Sequence, residues 1–415
     1  MTASKVFLTG AGGFVGGRLA QRIALGEELE LKALIHTPSG PGAMRLARLP
    51  VEIEVGSVRD REQMVDLMDG CDAVINCAFG MGKTSVTGTQ NLFEAAEQTG
   101  VKSFVHLSSA VVHGHGHEDD IDESTPVEPD DEYGEWKARA ERVLRTCSER
   151  STLDPAIIRP FIVYGPHGHW VTQAIADLRE GAILTDGGHG PLNQIYVDNL
   201  IDVILLALYT PEAAGEVFLA VDDDDVSWKQ FYDDVGRMAG DHPPVKTMSW
   251  REITARKKGR LVKDSVVPPA RAVGQVATSS DLHGTVAAEL SQTPWAEPML
   301  RQLPARVREP VLERVVPDGQ DVPFEALAGT PAPETRTNSS HETDVGTDEQ
   351  ETDTSPTTAQ TDRYQLPSTQ YMKMQTSAGR VSNSKLKEIL GWEQRVSYDE
   401  GMDHIAEWLT HEEVM

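Results

Sequence analysis

Residues 5–16, KVFLTGAGGFVG, constrain the fold of this chain more than any other stretch. An apolar, β-prone run at 6–9 leads directly into glycines at positions 10, 13 and 16. A buried strand that ends in this way turns sharply into a helix, whose free N–H groups and positive dipole end attract a phosphate. Gly10 permits the tight turn, Gly13 leaves room for a pyrophosphate, and Gly16 lets helix and strand pack closely. A glycine-rich turn can also serve backbone conformation alone, but the strand before it and the helix after it favour dinucleotide binding.

Strand-like and helix-like segments alternate through the first half of the chain. The predicted strands are 6–9, 31–36, 51–55, 73–79, 103–109 and 156–160, and the predicted helices are 17–25, 61–68, 86–99 and 133–148. The prolines and glycines at 38–42 predict a loop. Alternation of this kind is typical of βαβ units around a parallel sheet. We therefore predict an α/β fold, with a Rossmann-type doubly wound parallel sheet in residues 1–168.

The second half of the chain predicts a small C-terminal substrate-binding lobe, formed by residues 169–244 and 376–415, with helices at 197–208, 382–392 and 398–409. Residues 245–328 are locally basic and rich in proline. We interpret them as an insertion that covers the active site, the alternative being a surface that docks on a membrane or a partner. Residues 329–375 are rich in Thr, Ser, Pro and acids and predict a disordered acidic linker, because burial cannot offset their ordering entropy.

The charge balance is strongly acidic, with 65 acids, 38 bases and a formal net charge of −27, and 13 of the bases are lysine. Such a surface disfavours nucleic acid as a partner. It favours a halophilic protein, because counter-ions at high salt screen the repulsion between the protein's own charges. The alternative is that the acidic tract alone accounts for the excess of negative charge. No run approaches the ~20 apolar residues that a transmembrane helix needs. With no signal segment and three cysteines that form no disulfide framework, we predict a cytoplasmic protein.

Tyr133 and Lys137 lie four residues apart in DEYGEWKARAERVL, which has the pattern of an amphipathic helix. This spacing places both side chains on one helix face. A phenol ordinarily titrates near pH ~10, but a nearby ammonium stabilises the phenolate and lowers its pKa into a range useful for acid–base catalysis. The alternative is a chance pair at the start of an ordinary helix. The position after the fifth strand of a sheet that begins with a glycine turn favours catalysis.

Ser109 ends the fifth predicted strand, at the carboxyl edge where ligands bind in open α/β sheets. A hydroxyl at that edge can hydrogen-bond a substrate oxygen as the oxygen gains or loses its proton. Ser108 is the alternative, but its side chain points to the opposite face of a regular strand. We therefore predict Ser109 as the functional serine.

Eight segments together resemble the extended short-chain dehydrogenase/reductases, and within them the NAD-dependent epimerase/dehydratase group. The segments are TGAGGFVG (9–16), GSVRD (56–60), GTQNLFEAA (88–96), FVHLSSAVVHG (104–114), YGEWK (133–137), RPFIVYGP (159–166), IYVDN (195–199) and LGW (390–392). The resemblance covers residues 1–240 and 376–410 and leaves out the basic and acidic stretches.

The resemblance implies that Ser109, Tyr133 and Lys137 form a catalytic triad. Tyr133 would move the proton of a substrate hydroxyl, Lys137 would also hold the nicotinamide ribose, and Ser109 would orient the substrate. The cofactor, NAD or NADP, would be bound by Gly10, Gly13, Phe14, Val15, Gly16, His36, Ser57, Val58, Cys77, Ala78, Phe79, Tyr133, Lys137, Pro160 and Val163. The family also leads us to expect a small-molecule substrate and a homodimer formed through the helices at 86–99 and 133–148.

Several residues depart from the family pattern. His36 ends the second strand, where NAD enzymes of this group usually carry an acid, so NAD and NADP both stay open. Ala110 and Val111 occupy positions where nucleotide-sugar 4,6-dehydratases have an acidic pair, so dehydration is not expected. Ile162 replaces an asparagine that meets the sugar nucleotide in many epimerases, and His113 replaces a tyrosine.

Histidines at 113, 115 and 117, followed by acids at 118–120, could in principle bind zinc or nickel. Their position favours a flexible polar loop over the active site, and we predict no metal site. The same applies to the histidines at 167 and 169, which we assign to a substrate loop.

The function most consistent with these residues is NAD(P)-dependent oxidation of a secondary alcohol, with epimerisation of a nucleoside-diphosphate sugar as the leading hypothesis. One alternative is an NADP-dependent alcohol dehydrogenase or ketone reductase acting on a non-nucleotide substrate. A second alternative is a non-catalytic NAD(P)-binding module. Such a module would need the glycine turn but not the Tyr133 phenol.

Overall fold

A computed structural model describes residues 5–26, 29–80, 82–264, 364 and 366–411, with backbone alone at 83 and 258–264. Most of the predicted basic insertion and acidic linker therefore lies outside the described residues. The strands are, in chain order, β1 (Lys5–Thr9), β2 (Glu30–Ile35), β3 (Glu52–Val55), β4 (Ala73–Asn76), β5 (Ser103–Leu107), β6 (Pro155–Pro160), β7 (Ile162–Tyr164), β8 (Ile183–Thr185), β9 (Gln194–Tyr196), β10 (Val217–Ala220) and β11 (Lys246–Met248).

The described helices are α1 (Phe14–Gly26), α2 (Pro41–Leu46), α3 (Arg61–Met68), α4 (Lys83–Thr99), α5 (Glu132–Ser148), α6 (His169–Glu180), α7 (Val197–Tyr209), α8 (Trp228–Met238), α9 (Trp250–Asp264), α10 (Thr369–Thr376), α11 (Ser384–Leu390) and α12 (Tyr398–His411). Short 3₁₀ helices form at Ala110–His113 and Pro211–Ala213. None of these described helices is long and apolar enough to cross a membrane.

The main sheet has seven parallel strands in the order β10-β6-β5-β4-β1-β2-β3. The direction of strand order reverses between β1 and β4, which is the topological switch point where open α/β sheets bind ligands. All six predicted strands are present within a few residues of their predicted ends. The prediction of a Rossmann-type parallel sheet is confirmed.

Both faces of the sheet are buried, because successive side chains of a strand point to opposite sides. Val6 and Leu8 of β1 face α1 and α7, in a cluster that continues into the C-terminal region through Trp228 and Trp392. Phe7 faces the second cluster, with residues of α3 and α4. The sheet thus shares one continuous core with the C-terminal helices.

The C-terminal lobe, by which we mean α6 and α8–α12 with β8 and β11, is assembled from distant parts of the chain. Strand β8 pairs in parallel with β11, and Ile253 of α9 packs against Met372 of α10 in a small apolar cluster. This arrangement brings residues that follow position 364 back against residues that precede position 264.

Four segments differ from the sequence-based predictions. Helix α2 begins at Pro41, inside the loop predicted at 38–42, because proline is tolerated in the first helical turn and Leu46 is buried. The four-residue strand β10 comes from the range assigned to the substrate lobe, yet it extends the main sheet beside β6. Residues 246–264, assigned to the basic insertion, form β11 and α9, which pack on the lobe. Residues 369–376, assigned to the disordered linker, form α10 because Ser368 caps it and Met372 is buried.

Candidate active site

The glycine turn has the geometry that the sequence predicts. Gly10 directly follows β1 and has φ +70°. A Cβ on Gly10 would lie 2.6 Å from the carbonyl carbon of Cys77. A Cβ on Gly13 would lie 3.2 Å, and one on Gly16 2.2 Å, from the carbonyl oxygen of Gly10. Only glycine therefore fits at Gly10 and Gly16, and α1 starts at Phe14 with its N-terminus at the switch point. The backbone amides of this cradle fit a pyrophosphate.

The other residues predicted to bind the cofactor follow the carboxyl ends of neighbouring strands. His36 follows β2 and is exposed, and Ser57 and Val58 follow β3. Residues 77–79 follow β4, Pro160 ends β6, and Val163 lies in the adjacent β7. The parallel topology therefore brings the whole predicted set to one edge of the sheet.

Ser109, Tyr133 and Lys137 meet at the carboxyl end of β5. Tyr133 is hydrogen-bonded to Ser109, and its ring packs edge-on against Phe79, with 4.9 Å between ring centres. The Lys137 ammonium donates to the carbonyl of Leu107 at 2.8 Å and lies 5.9 Å from the centre of the Tyr133 ring. The structure thus brings the three predicted catalytic side chains together.

The charge states of this group differ from the expectation in one respect. Burial raises the pKa of Tyr133 to about 12, although the hydrogen bond from Ser109 opposes the rise. Burial also lowers the pKa of Lys137 to about 8. The expected lowering of the phenol pKa by Lys137 is wrong for this arrangement, because desolvation outweighs the other influences on Tyr133 and the ammonium bonds a backbone carbonyl.

The structure separates the two candidate serines. Ser109 begins the 3₁₀ helix at 110–113, and its Oγ accepts from the Val111 amide at 3.4 Å. Ser108 points to the other side and donates to Glu141 of α5 at 2.5 Å. Alternation along β5 therefore distinguishes them as predicted, and Ser109 is the one that contacts Tyr133.

Sequence reasoning missed a buried ion pair beneath these residues. Arg159 of β6 binds Glu141 through Nε at 2.9 Å and Nη2 at 2.5 Å, and each residue is at most 3% exposed. A charged residue inside the apolar run AIIRP was the available signal, because arginine is almost never fully buried without a partner.

A second missed network lies under the switch point. Thr9 donates to the side-chain oxygen of Asn76 at 2.7 Å, and the Asn76 amide lies 3.0 Å from Nδ1 of His106. Burial and the charge of Lys137 lower the pKa of His106 to about 3. These side chains tie together the ends of β1, β4 and β5 without a charge of their own.

The histidine-rich loop is more ordered than the sequence suggests. His113 is 3% exposed, Nδ1 of His115 lies 2.6 Å from Asp130, and Nε2 of His117 donates to the Gly114 carbonyl at 3.3 Å. Among the described residues, no three of His, Cys, Asp or Glu form a group that could hold a metal ion.

A switch-point glycine turn beside a Ser–Tyr–Lys group defines a Rossmann-type, dinucleotide-dependent enzyme class. A sequence profile of the NAD dependent epimerase/dehydratase family matches residues 6–220. The chain therefore belongs to this family, which confirms the resemblance, and it is an NAD(P)-dependent enzyme.

Known proteins agree with this assignment. The chain is 28% identical to a UDP-glucose 4-epimerase of Vibrio cholerae over 242 residues, covering 54% of this chain and 72% of that protein. It is 27% identical to a 2-alkyl-3-oxoalkanoate reductase of Shewanella oneidensis over 259 residues, covering 54% and 63%. The fold resembles that of UDP-glucose 4-epimerase from Thermotoga maritima, solved with UDP-glucose, with a TM-score of 0.62, 16% identity and coverage of 98% and 99%.

Proposed function

We propose that this enzyme epimerises a nucleoside-diphosphate sugar by oxidising one secondary hydroxyl to a ketone and reducing it again from the opposite face. The observation that carries the proposal is the meeting of Ser109, Tyr133 and Lys137 at the edge of β5, beside the glycine cradle that begins at Gly10. A binding module would need the cradle alone.

Each side chain of the group has a role that its position supports. Tyr133 takes the proton of the substrate hydroxyl and returns it after the ketone is reduced. Ser109, already bonded to Tyr133, would turn its one hydroxyl proton from the Pro160 carbonyl to the substrate oxygen and so orient the substrate. Lys137 is mostly protonated at pH 7 with its pKa of about 8, and its ammonium, which lies at the carboxyl end of β5, would hold the nicotinamide ribose.

The cofactor would be held along the edge of the sheet described above. Gly10, Gly13 and Gly16, with Phe14 and Val15, would hold the pyrophosphate, because the positive end of α1, which begins at Phe14, attracts a phosphate. The adenosine would lie along His36, Ser57 and Val58, the ribose along Cys77, Ala78 and Phe79, and the nicotinamide near Pro160 and Val163. When bound, the nicotinamide supplies a reversible hydride acceptor.

We further propose that the C-terminal region, 169–244 and 376–411, binds the substrate. Asn193 bridges the two segments, donating to the Gly379 carbonyl at 3.2 Å and accepting from the Val381 amide at 3.0 Å. A small cavity next to this bridge is lined by Phe161, which follows β6, and by His117. The contact places the lobe beside the loop that follows the candidate catalytic serine.

The epimerase relative favours a nucleotide-sugar substrate, since its name states that it acts on UDP-glucose. A second candidate is NADP-dependent reduction of a ketone. It is favoured by His36 at the end of β2, where no carboxylate would repel a 2′-phosphate, and by the reductase relative. The expected homodimer and cytoplasmic location stay predictions.

The first test is native mass spectrometry of the protein purified in high salt, followed by identification of the nucleotide released on denaturation. Near-stoichiometric NAD would support the epimerase, because a hydride that is returned to the product leaves the cofactor bound. An empty site that takes up NADPH and reduces ketones would overturn that proposal and favour the reductase.

Replacing Tyr133 tests the proton-transfer role. Tyr133→Phe should lower the turnover rate about 10²- to 10⁴-fold while the protein still binds the cofactor, because the acid–base group is lost and the glycine turn is intact. Tyr209→Phe, in α7, is the control and should leave turnover unchanged. Wild-type turnover in Tyr133→Phe would contradict the assigned role.

A further inference from the structure

Ser109 is held by two separate segments of the chain. Its Oγ donates to the carbonyl of Pro160 and accepts from the amide of Val111, with both distances 3.4 Å. Pro160 follows Arg159 at the end of β6, while Val111 lies in the 3₁₀ helix that ends at His113. A contact between Arg159 and His113 therefore joins the two segments that orient Ser109.

The buried His113 imidazole makes this contact. Its Nε2 lies 3.0 Å from Nη1 of Arg159, and its Nδ1 lies 3.0 Å from the carbonyl oxygen of Pro126. A guanidinium can only donate and a carbonyl can only accept. The imidazole must therefore be neutral, with its proton on Nδ1. Burial and the charge of Arg159 lower the pKa of His113, which agrees with a neutral ring.

The same guanidinium also holds α5. Arg159 binds both carboxylate oxygens of Glu141, and Glu141 follows Lys137 by one helical turn and Tyr133 by two. The three α5 side chains therefore share one helix face. One arginine thus connects the helix that carries Tyr133 and Lys137 to the 3₁₀ helix that carries the Ser109 cap.

We propose that His113 is a positioning residue for the proposed hydride-transfer reaction, acting as the neutral acceptor through which Arg159 aligns Ser109 with Tyr133. The proposal rests on the proposed function. A protonated His113 would present a second donor and a second positive charge to Arg159, so protonation breaks the contact.

The groups that face the His113 ring decide how it responds to acid. They are the cation of Arg159, the carboxylate of Glu141 beyond it, the imidazole of His117 and the carbonyl of Pro126. The Arg159 and His117 charges oppose protonation, whereas Glu141 and the carbonyl favour it. Protonation of the ring in the folded enzyme should therefore slow catalysis, because it breaks the contact with Arg159.

Three variants of the full chain test this role. His113→Phe removes both ring nitrogens, and His113→Gln supplies an amide that can donate and accept but does not titrate. His242→Gln is the matched control, because Nδ1 of His242 also lies 2.9 Å from a proline carbonyl, in the loop after α8. Thermal unfolding and cofactor titration show whether each variant is folded and binds the cofactor.

We expect kcat of His113→Phe to fall about 10- to 100-fold, as for other small misplacements of reacting groups, with unchanged cofactor affinity. His113→Gln should recover most of the rate. In the reduction direction, the loss of rate on the acid side should be weaker in His113→Gln than in wild type and His242→Gln. A folded His113→Phe with wild-type kcat, a folded His113→Gln as slow as His113→Phe, or an unchanged acid limb would each overturn the proposal.

Nitrogen-15 NMR of the wild-type protein separates this proposal from the proposed function, since it needs no turnover. The His113 ring should be neutral with its proton on Nδ1 at pH 7, and the opposite tautomer or an imidazolium would overturn the proposal. If wild type neither epimerises nucleotide sugars nor reduces ketones, both candidate functions fail, whatever the His113 ring shows.

Discussion

The nucleotide-binding half, by which we mean the main sheet with α1–α5, and the C-terminal lobe each contain a carboxylate that is withdrawn from solvent, and the two carboxylates have different partners. Beneath the candidate active site, Glu141 is paired with the guanidinium of Arg159. In the lobe, Asp177 of α6 accepts from the hydroxyl of Tyr232 at 2.6 Å and from the amide of Gln173 at 2.7 Å, and both donors are neutral. Burial raises the pKa of Asp177. Glu141, beneath the proposed chemistry, is thus compensated by a cation, whereas Asp177 of the lobe is held by neutral donors.

The largest loss of stability is expected when the cation that compensates Glu141 is removed. Arg159→Met leaves Glu141 buried without its cation and should lower the free energy of unfolding by about 3–5 kcal/mol. Arg237→Met is the control, because Arg237 pairs with Asp234 on the surface and should cost at most ~1 kcal/mol. Urea denaturation measures both values. Equal costs for the two variants would show that the buried pair contributes no more than an exposed one.

Lowering the pH should change the stability of the two regions in opposite directions. His106 and His113 have lowered pKa values in the nucleotide-binding half, so the unfolded state takes up protons first. That half should lose up to about 2 kcal/mol through His106 as the pH falls from ~6.5 to ~5, and His113 acts in the same direction. The raised pKa of Asp177 means that the lobe gains stability as the pH falls towards the ordinary carboxyl value of ~3.9.

Hydrogen exchange, corrected for the intrinsic effect of pH, measures this difference region by region. Protection should fall in β5 and α5 as the pH falls below ~6.5, and it should rise in α6 and α8 as the pH falls towards ~3.9. In His113→Gln the change in α5 should be smaller. A change of the same sign in both regions would contradict the contrast.

The smallest effect is expected in the lobe. In Asp177→Asn, the amide oxygen can accept from Gln173 and the amide N–H can donate to Tyr232, whose own proton then bonds the Tyr371 hydroxyl 2.9 Å away. A half-buried charge is lost, while the Tyr371 hydroxyl no longer has Tyr232 as acceptor for its proton. These effects oppose each other, so stability at pH 7 should change by less than ~1 kcal/mol. A loss above ~2 kcal/mol in urea denaturation would show that the ionised form is needed.

The sequence predicts the parts of this protein that depend on local pattern. Strand alternation predicts which face Ser108 and Ser109 present, and helical spacing predicts that Tyr133 and Lys137 share a face. Hydrophobic periodicity predicts the sheet, and glycine spacing predicts the phosphate cradle. Each of these signals is contained within a short stretch of the chain.

The remaining features depend on contacts between distant residues. Glu141 and Arg159 are 18 positions apart and belong to different elements, so only the fold shows that they pair. Helix α10 has only eight residues, and the acidic composition of the stretch before it conceals the buried Met372. The raised pKa of Tyr133 follows from desolvation, which no local spacing encodes.

Residues of β11 and α9 contact residues 364 and 372, which come after the stretch that the structure does not describe. The Lys257 ammonium lies 3.7 Å from the Met372 sulfur, and the Lys246 ammonium lies 3.5 Å from the centre of the Tyr364 ring. Because the closure cost of a loop rises only slowly with its length, residues between these contacts can be lost, gained or exchanged with little strain on either side. The stability of the lobe should therefore depend more on these contacts than on the number of residues between them.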